Sequence, residues 1–104
     1  MRAVSVCIVL LLAACRPDAG KPVEATFQSG GISRSYILYI PEGLPKDAPL
    51  VIAIHGYTDS ARAFMNYTGL NEIAGKYGFA VCYPQGMKDQ TGKTFWQVGY
   101  SFHR

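Results

Sequence analysis

The segment Leu50-Val51-Ile52-Ala53-Ile54 is apolar at every position and runs directly into His55-Gly56. A strand wetted on one side alternates apolar and polar residues, so a short unbroken apolar run rich in β-branched residues predicts a strand covered on both faces. Two-sided cover is the mark of a mainly parallel sheet flanked by helices, and this narrows the chain to an α/β architecture. The glycine beyond the strand allows a sharp turn at the sheet's C-terminal edge, where open α/β sheets form their ligand crevices.

The flanking sequence supports that architecture. Positions 24–28 and 33–40 favour strands and are separated by Ser29-Gly30-Gly31, a hairpin signal, with Pro41 ending the second strand. After the apolar run, Asp59 and Ser60 suit a helix cap, and Ala61, Phe64 and Met65 share one face of a short helix. Leu70, Ile73, Ala74 and Tyr77 fall at helical spacing and predict a second helix with that stripe turned inward, closed by Gly78 in a left-handed conformation. Residues 80–83 predict a buried strand parallel to 50–54, ending at Pro84-Gln85-Gly86, and the polar stretch 87–94 predicts a loop. The expected fold class is α/β, a β-hairpin followed by strand-helix-strand. The sheet is expected to be incomplete, because a doubly covered strand needs parallel neighbours on both sides that so few residues do not supply.

The start of the chain has a separate character. Met1-Arg2 precedes an apolar run too short to span a bilayer, which reads as a signal peptide over 1–14. Leu12-Ala13-Ala14-Cys15 resembles the lipobox of bacterial lipoproteins, with Cys15 the residue that takes the lipid; the alternative is a plain secretory signal cut near Ala14 that leaves Cys15 a free thiol. Either way the protein is expected outside the cytoplasm, lipid-anchored to the envelope or secreted. Pro17, Gly20 and Pro22 make 15–23 a short anchored tether, and 24–104 the folded part. Of three cysteines only Cys82 then remains, so no disulfide framework is available, and its apolar setting predicts a small buried hydrophobe.

Composition excludes some partners. Hydrophobic residues make up 49% of the chain, which is globular, and the net charge of +3 is spread without a basic run, so no nucleic-acid surface is expected. His55 and His103 have no carboxylate or cysteine at ligand spacing, and neither a metal nor another cofactor is expected.

Taken together, Arg34-Ser35-Tyr36-Ile37-Leu38-Tyr39-Ile40-Pro41, the stretch 49–56, and Tyr77-Gly78-Phe79-Ala80-Val81-Cys82-Tyr83-Pro84-Gln85-Gly86 resemble the opening of the polyhydroxybutyrate depolymerase and feruloyl esterase family of α/β-hydrolases. The resemblance runs over 33–96, in order. It implies a serine nucleophile in a Gly-x-Ser-x-Gly elbow, an acid and a histidine, all C-terminal to this region. The oxyanion hole would be shared between the residue after the nucleophile and the loop at Gly56-Tyr57. No catalytic residue is therefore expected within this chain, which should be inactive alone. His55 is expected to brace the loop through its ring rather than to transfer protons. Gly99-Tyr100-Ser101-Phe102-His103 has histidine where an elbow needs a small residue, so Ser101 is expected to belong to a connecting segment. Trp96 is expected to cap a core edge rather than to line a substrate cleft. The implied activity is hydrolysis of carboxylic esters of the polyhydroxyalkanoate or feruloyl/acetyl type through an acyl-enzyme. The alternatives are a peptidase or dienelactone-type hydrolase on the same scaffold, and a small non-catalytic envelope lipoprotein.

Overall fold

The computed structural model describes residues 19–101; the expected signal peptide, Cys15 and His103 lie outside the described residues. Strand β1 (Val23–Ser29) turns through Gly30 and Gly31 into β2 (Ile32–Tyr39). Both glycines have positive φ, 57° and 76°, the backbone a two-residue hairpin turn demands, and Ser29 pairs with Ile32 across it. The sheet begins slightly earlier than expected: β1 includes Val23, and the Gly20 N–H donates to the Ile40 carbonyl at 2.7 Å.

Strand β3 (Leu50–Ile52) leads into α1 (Ala61–Thr68) and α2 (Leu70–Tyr77), which return the chain to β4 (Ala80–Pro84). The sheet order is β1-β2-β4-β3, with β2 and β4 antiparallel and β3 and β4 parallel, as expected of the last pair. Pairing of β3 continues one residue further, as the Ala53 N–H donates to the Cys82 carbonyl at 2.8 Å.

Ser60 caps α1, its hydroxyl accepting from the Ala63 N–H at 3.1 Å. Gly69, at φ 64°, both ends α1 and starts α2. Gly78, at φ 80°, closes α2 by donating its N–H to the Ala74 carbonyl. One face of the sheet meets the helices. Ile37, Val81 and Tyr83 are buried there against Ala61, Met65 and Ala74, and the Tyr83 hydroxyl donates to Asn71 Oδ1 at 2.8 Å, so the buried phenol is satisfied.

Three expectations are corrected. The strand at 50–54 is at the sheet edge and covered on one face only: Ala53 is buried, but Leu50, Ile52 and Ile54 on the other face are 56%, 60% and 57% exposed, because no element among the described residues packs there. The α2 stripe is narrower than its periodicity predicts. Ala74 is buried and Leu70 half-buried, whereas Ile73 and Tyr77 are exposed, since this two-turn helix rests on β4 and the rest of its apolar arc overhangs. Finally, residues 87–94 are not simply loop. A small hairpin of β5 (Met87–Lys88) and β6 (Thr94–Phe95) forms there, with strands too short to show alternation in sequence.

Candidate functional site

The loop after β3 sits at the C-terminal end of the parallel pair, and a set of hydrogen bonds defines it. His55 is 2% exposed. Its Nε2 accepts the Gly86 N–H at 3.0 Å, and a neutral imidazole that accepts there carries its proton on Nδ1. Nδ1 in turn lies 2.8 Å from the Gly56 carbonyl and donates to it. Both ring nitrogens are thus engaged with backbone. Gly86 has no room for a side chain: an added Cβ would stand 2.7 Å from the Phe95 carbonyl and 3.1 Å from His55 Cε1.

Residues 56–59 form a β-turn in which the Gly56 carbonyl accepts the Asp59 N–H at 3.3 Å. Tyr57 occupies the first inner position, outside any strand or helix, with its side chain mostly exposed. Thr58 occupies the second, at φ 69°, a left-handed conformation that a β-branched residue adopts only under constraint. Asp59 then joins turn to helix, its carboxylate accepting from the Ser60 N–H at 2.7 Å and the Tyr67 hydroxyl at 2.7 Å. The Tyr67 bond, with that of Ser60, holds the Asp59 carboxyl below its usual range, and the same bond raises the Tyr67 phenol.

Gln85 links three parts of this end of the sheet. Its Oε1 accepts the Ala61 N–H at 3.0 Å, in the first turn of α1, its Nε2 donates to the Gly86 carbonyl at 3.2 Å, and its own N–H donates to the Ser35 carbonyl at 2.9 Å. The hairpin at residues 87–95 closes over the loop from the other side. The Trp96 Nε1–H donates to the His55 carbonyl at 2.8 Å, with its ring tilted against the imidazole at a centroid distance of 5.0 Å. The Tyr57 hydroxyl donates to Asp89 Oδ2 at 3.0 Å, which raises the Tyr57 phenol.

Trp96 stands against His55 and lines a groove of about 900 Å³ together with Ile54, Gln85, Phe95 and Val98, the role the sequence reading set second. Sequence reasoning overlooked Gln85, Asp89 and Thr94. Gln85 was visible only as the middle of Pro84-Gln85-Gly86, and the other two stand in a stretch read as loop. Ser101 ends the described residues and shares no described bond with His55. Cys82, on the sheet face away from the helices, is half-buried, and burial pushes its thiol up. Among the described residues no three His, Cys, Asp or Glu side chains stand together as metal donors.

A hairpin, a parallel strand pair joined through helices, and a turn at the C-terminal end of the first of those strands make up part of an α/β-hydrolase fold. Residues 34–101 match the family described as Esterase PHB depolymerase, and the chain belongs to that family of ester hydrolases. Acetylxylan esterase A of Emericella nidulans is 30% identical over 80 residues, a match covering 76% of this chain and 26% of that protein. Acetylxylan esterase A of Talaromyces purpureogenus is 38% identical over 71 residues, covering 67% of this chain and 19% of that protein. Poly(3-hydroxyalkanoate) depolymerase C of Paucimonas lemoignei is 40% identical over 47 residues, covering 45% and 11%. The chain thus spans about a quarter or less of the length of these relatives.

Proposed function

We propose that this chain is the oxyanion-side opening of a serine esterase that works outside the cytoplasm, held to the envelope by lipid at Cys15, and that the nucleophile, acid and base are supplied by residues C-terminal to it. The observation that carries this reading is the turn at residues 56–59, set at the C-terminal end of β3, where a parallel sheet places its site. In such a reaction the serine oxygen attacks the ester carbonyl and negative charge grows on the carbonyl oxygen. In this reading the Tyr57 N–H, together with the N–H after the nucleophile, meets that charge, a contact whose loss typically costs about 10²–10³ in kcat. Gly56 lets the backbone enter this turn, and His55 braces it. With both its nitrogens bonded to backbone, His55 is not the proton carrier. The substrate class is an acyl ester of a polymer, in keeping with relatives named for acetylxylan and poly(3-hydroxyalkanoate). The uncovered outer face of β3 and its place at the sheet edge support a larger fold and weigh against a small non-catalytic lipoprotein.

The test compares two proteins on a short-chain aryl ester: the 104-residue chain, and the product of the coding sequence continued past Arg104. The first should show no turnover above background and the second should turn over, with activity lost when the serine of a downstream Gly-x-Ser-x-Gly is replaced by alanine. Turnover by the shorter chain that disappears in Ser101→Ala, or a continuation without an elbow, would overturn the reading.

A further inference from the structure

Beyond its own Asp59 N–H to Gly56 carbonyl bond, the turn at residues 56–59 is held from outside. Four hydrogen bonds join residues 55–59 to residues 89–96, and each uses a different residue of the turn or its lead-in. The Trp96 Nε1–H donates to the His55 carbonyl at 2.8 Å, and the Tyr57 hydroxyl donates to Asp89 Oδ2 at 3.0 Å. The Thr58 N–H donates to the Thr94 carbonyl at 2.9 Å, and the Thr94 hydroxyl donates to the Asp59 carbonyl. The remaining residue, Gly56, has its carbonyl bonded within the loop. Thr58 at φ 69° would relax if these bonds were absent, because a β-branched residue has little to gain there.

We infer that the hairpin at residues 87–95, with Trp96, is a clamp that fixes the direction of the Tyr57 N–H, and that Trp96, Thr94 and Asp89 are positioning residues for the oxyanion turn. None of the three touches the reacting atoms. The inference rests on the esterase reading above. It extends that reading by assigning a role to residues 32 to 41 positions away in sequence from those they hold. A donor aimed at the oxyanion is felt chiefly in the transition state, so a loosened clamp should lower kcat and spare KM.

The experiment uses the active product of the continued coding sequence. Trp96→Phe keeps the ring against His55 but deletes the Nε1–H, Thr94→Val deletes the hydroxyl, and Asp89→Asn weakens the acceptor for Tyr57. Each should reduce kcat by roughly ten- to a hundredfold, the cost of a misplacement of about 1 Å, with KM within about twofold. Thr94→Ser, which keeps the hydroxyl, should restore most of the rate. In the same variants the Thr58 amide should lose protection from exchange, and its HN–Hα coupling should leave the value of a positive φ. An active parent whose three variants keep kcat within about twofold would overturn the clamp, as would Thr94→Ser failing like Thr94→Val. A parent without turnover would overturn the esterase reading instead. The clamp is then judged on Thr58 alone, supported if its protection falls in Thr94→Val and refuted if it does not.

Discussion

Four hydrogen bonds converge on the Asp89 carboxylate: Oδ1 accepts from the Thr91 hydroxyl, the Thr91 N–H and the Lys93 N–H, and Oδ2 accepts from Tyr57. Led by the Thr91 hydroxyl, these hold the Asp89 carboxyl at about 2, below the ordinary 3.8. A carboxylate depressed on folding adds stability that is complete above its unfolded value and is lost as pH falls through its folded one. The expected outcome is that an NMR titration places the Asp89 carboxyl midpoint near 2 and that the amides of Thr91 and Lys93, which donate to that carboxylate, lose exchange protection between about pH 4 and pH 2. A midpoint at the ordinary value would show that the four bonds do not persist in solution. Residues whose job is local were legible in the sequence: Ser60 as a cap, Gly78 as a helix end and Gly30-Gly31 as a hairpin turn each follow from their immediate neighbours. Gln85, Asp89 and Thr94 were not, because their partners lie far along the chain and no local pattern records such a bond. The positive φ of Thr58 was hidden for the same reason, being imposed from across the loop on a residue that does not favour it.

Among the elements, β3 departs furthest from what its sequence asks for. The run from Leu50 to Ile54 predicts two-sided cover, yet the described fold covers one side, and one edge of β3 lacks a strand partner. The parallel pairing and the strand order follow from hydrophobic pattern and connection length, whereas the number of neighbours depends on chain that the pattern cannot show. An apolar edge of this kind associates with its like. The 104-residue chain should therefore self-associate in sedimentation measurements, and Ile52→Lys, which removes about 1.5–3 kcal/mol of apolar burial at such a contact, should weaken association at least roughly tenfold. Equal association in both proteins would place the contact elsewhere, with the exposed Ile73 and Tyr77 of α2 the next face to test.

For the molecule as a whole, the anchor proposal sets a distance. The Gly20 N–H is already bonded to the sheet at Ile40, so at most five residues separate a lipid on Cys15 from the folded body. An extended chain spans about 3.3–3.6 Å per residue, which keeps the body within roughly 20 Å of the lipid and confines its substrates to what reaches the envelope surface. Expression with labelled fatty acid should mark the protein, and Cys15→Ser should abolish the label; a label that survives the substitution would rule the anchor out.

The order β1-β2-β4-β3 also has a consequence in time. The β1–β2 hairpin can close as soon as both strands leave the ribosome, but β3 must wait for β4, whose Ala80 follows its partner Leu50 by about 30 residues. At about 5–20 residues per second, translation leaves that apolar strand without its partner for roughly 2–6 s. During that interval a strand suited to a sheet interior is open to chaperones. Under the export proposal, the late arrival of β4 would leave β3 open to capture for translocation before the sheet closes.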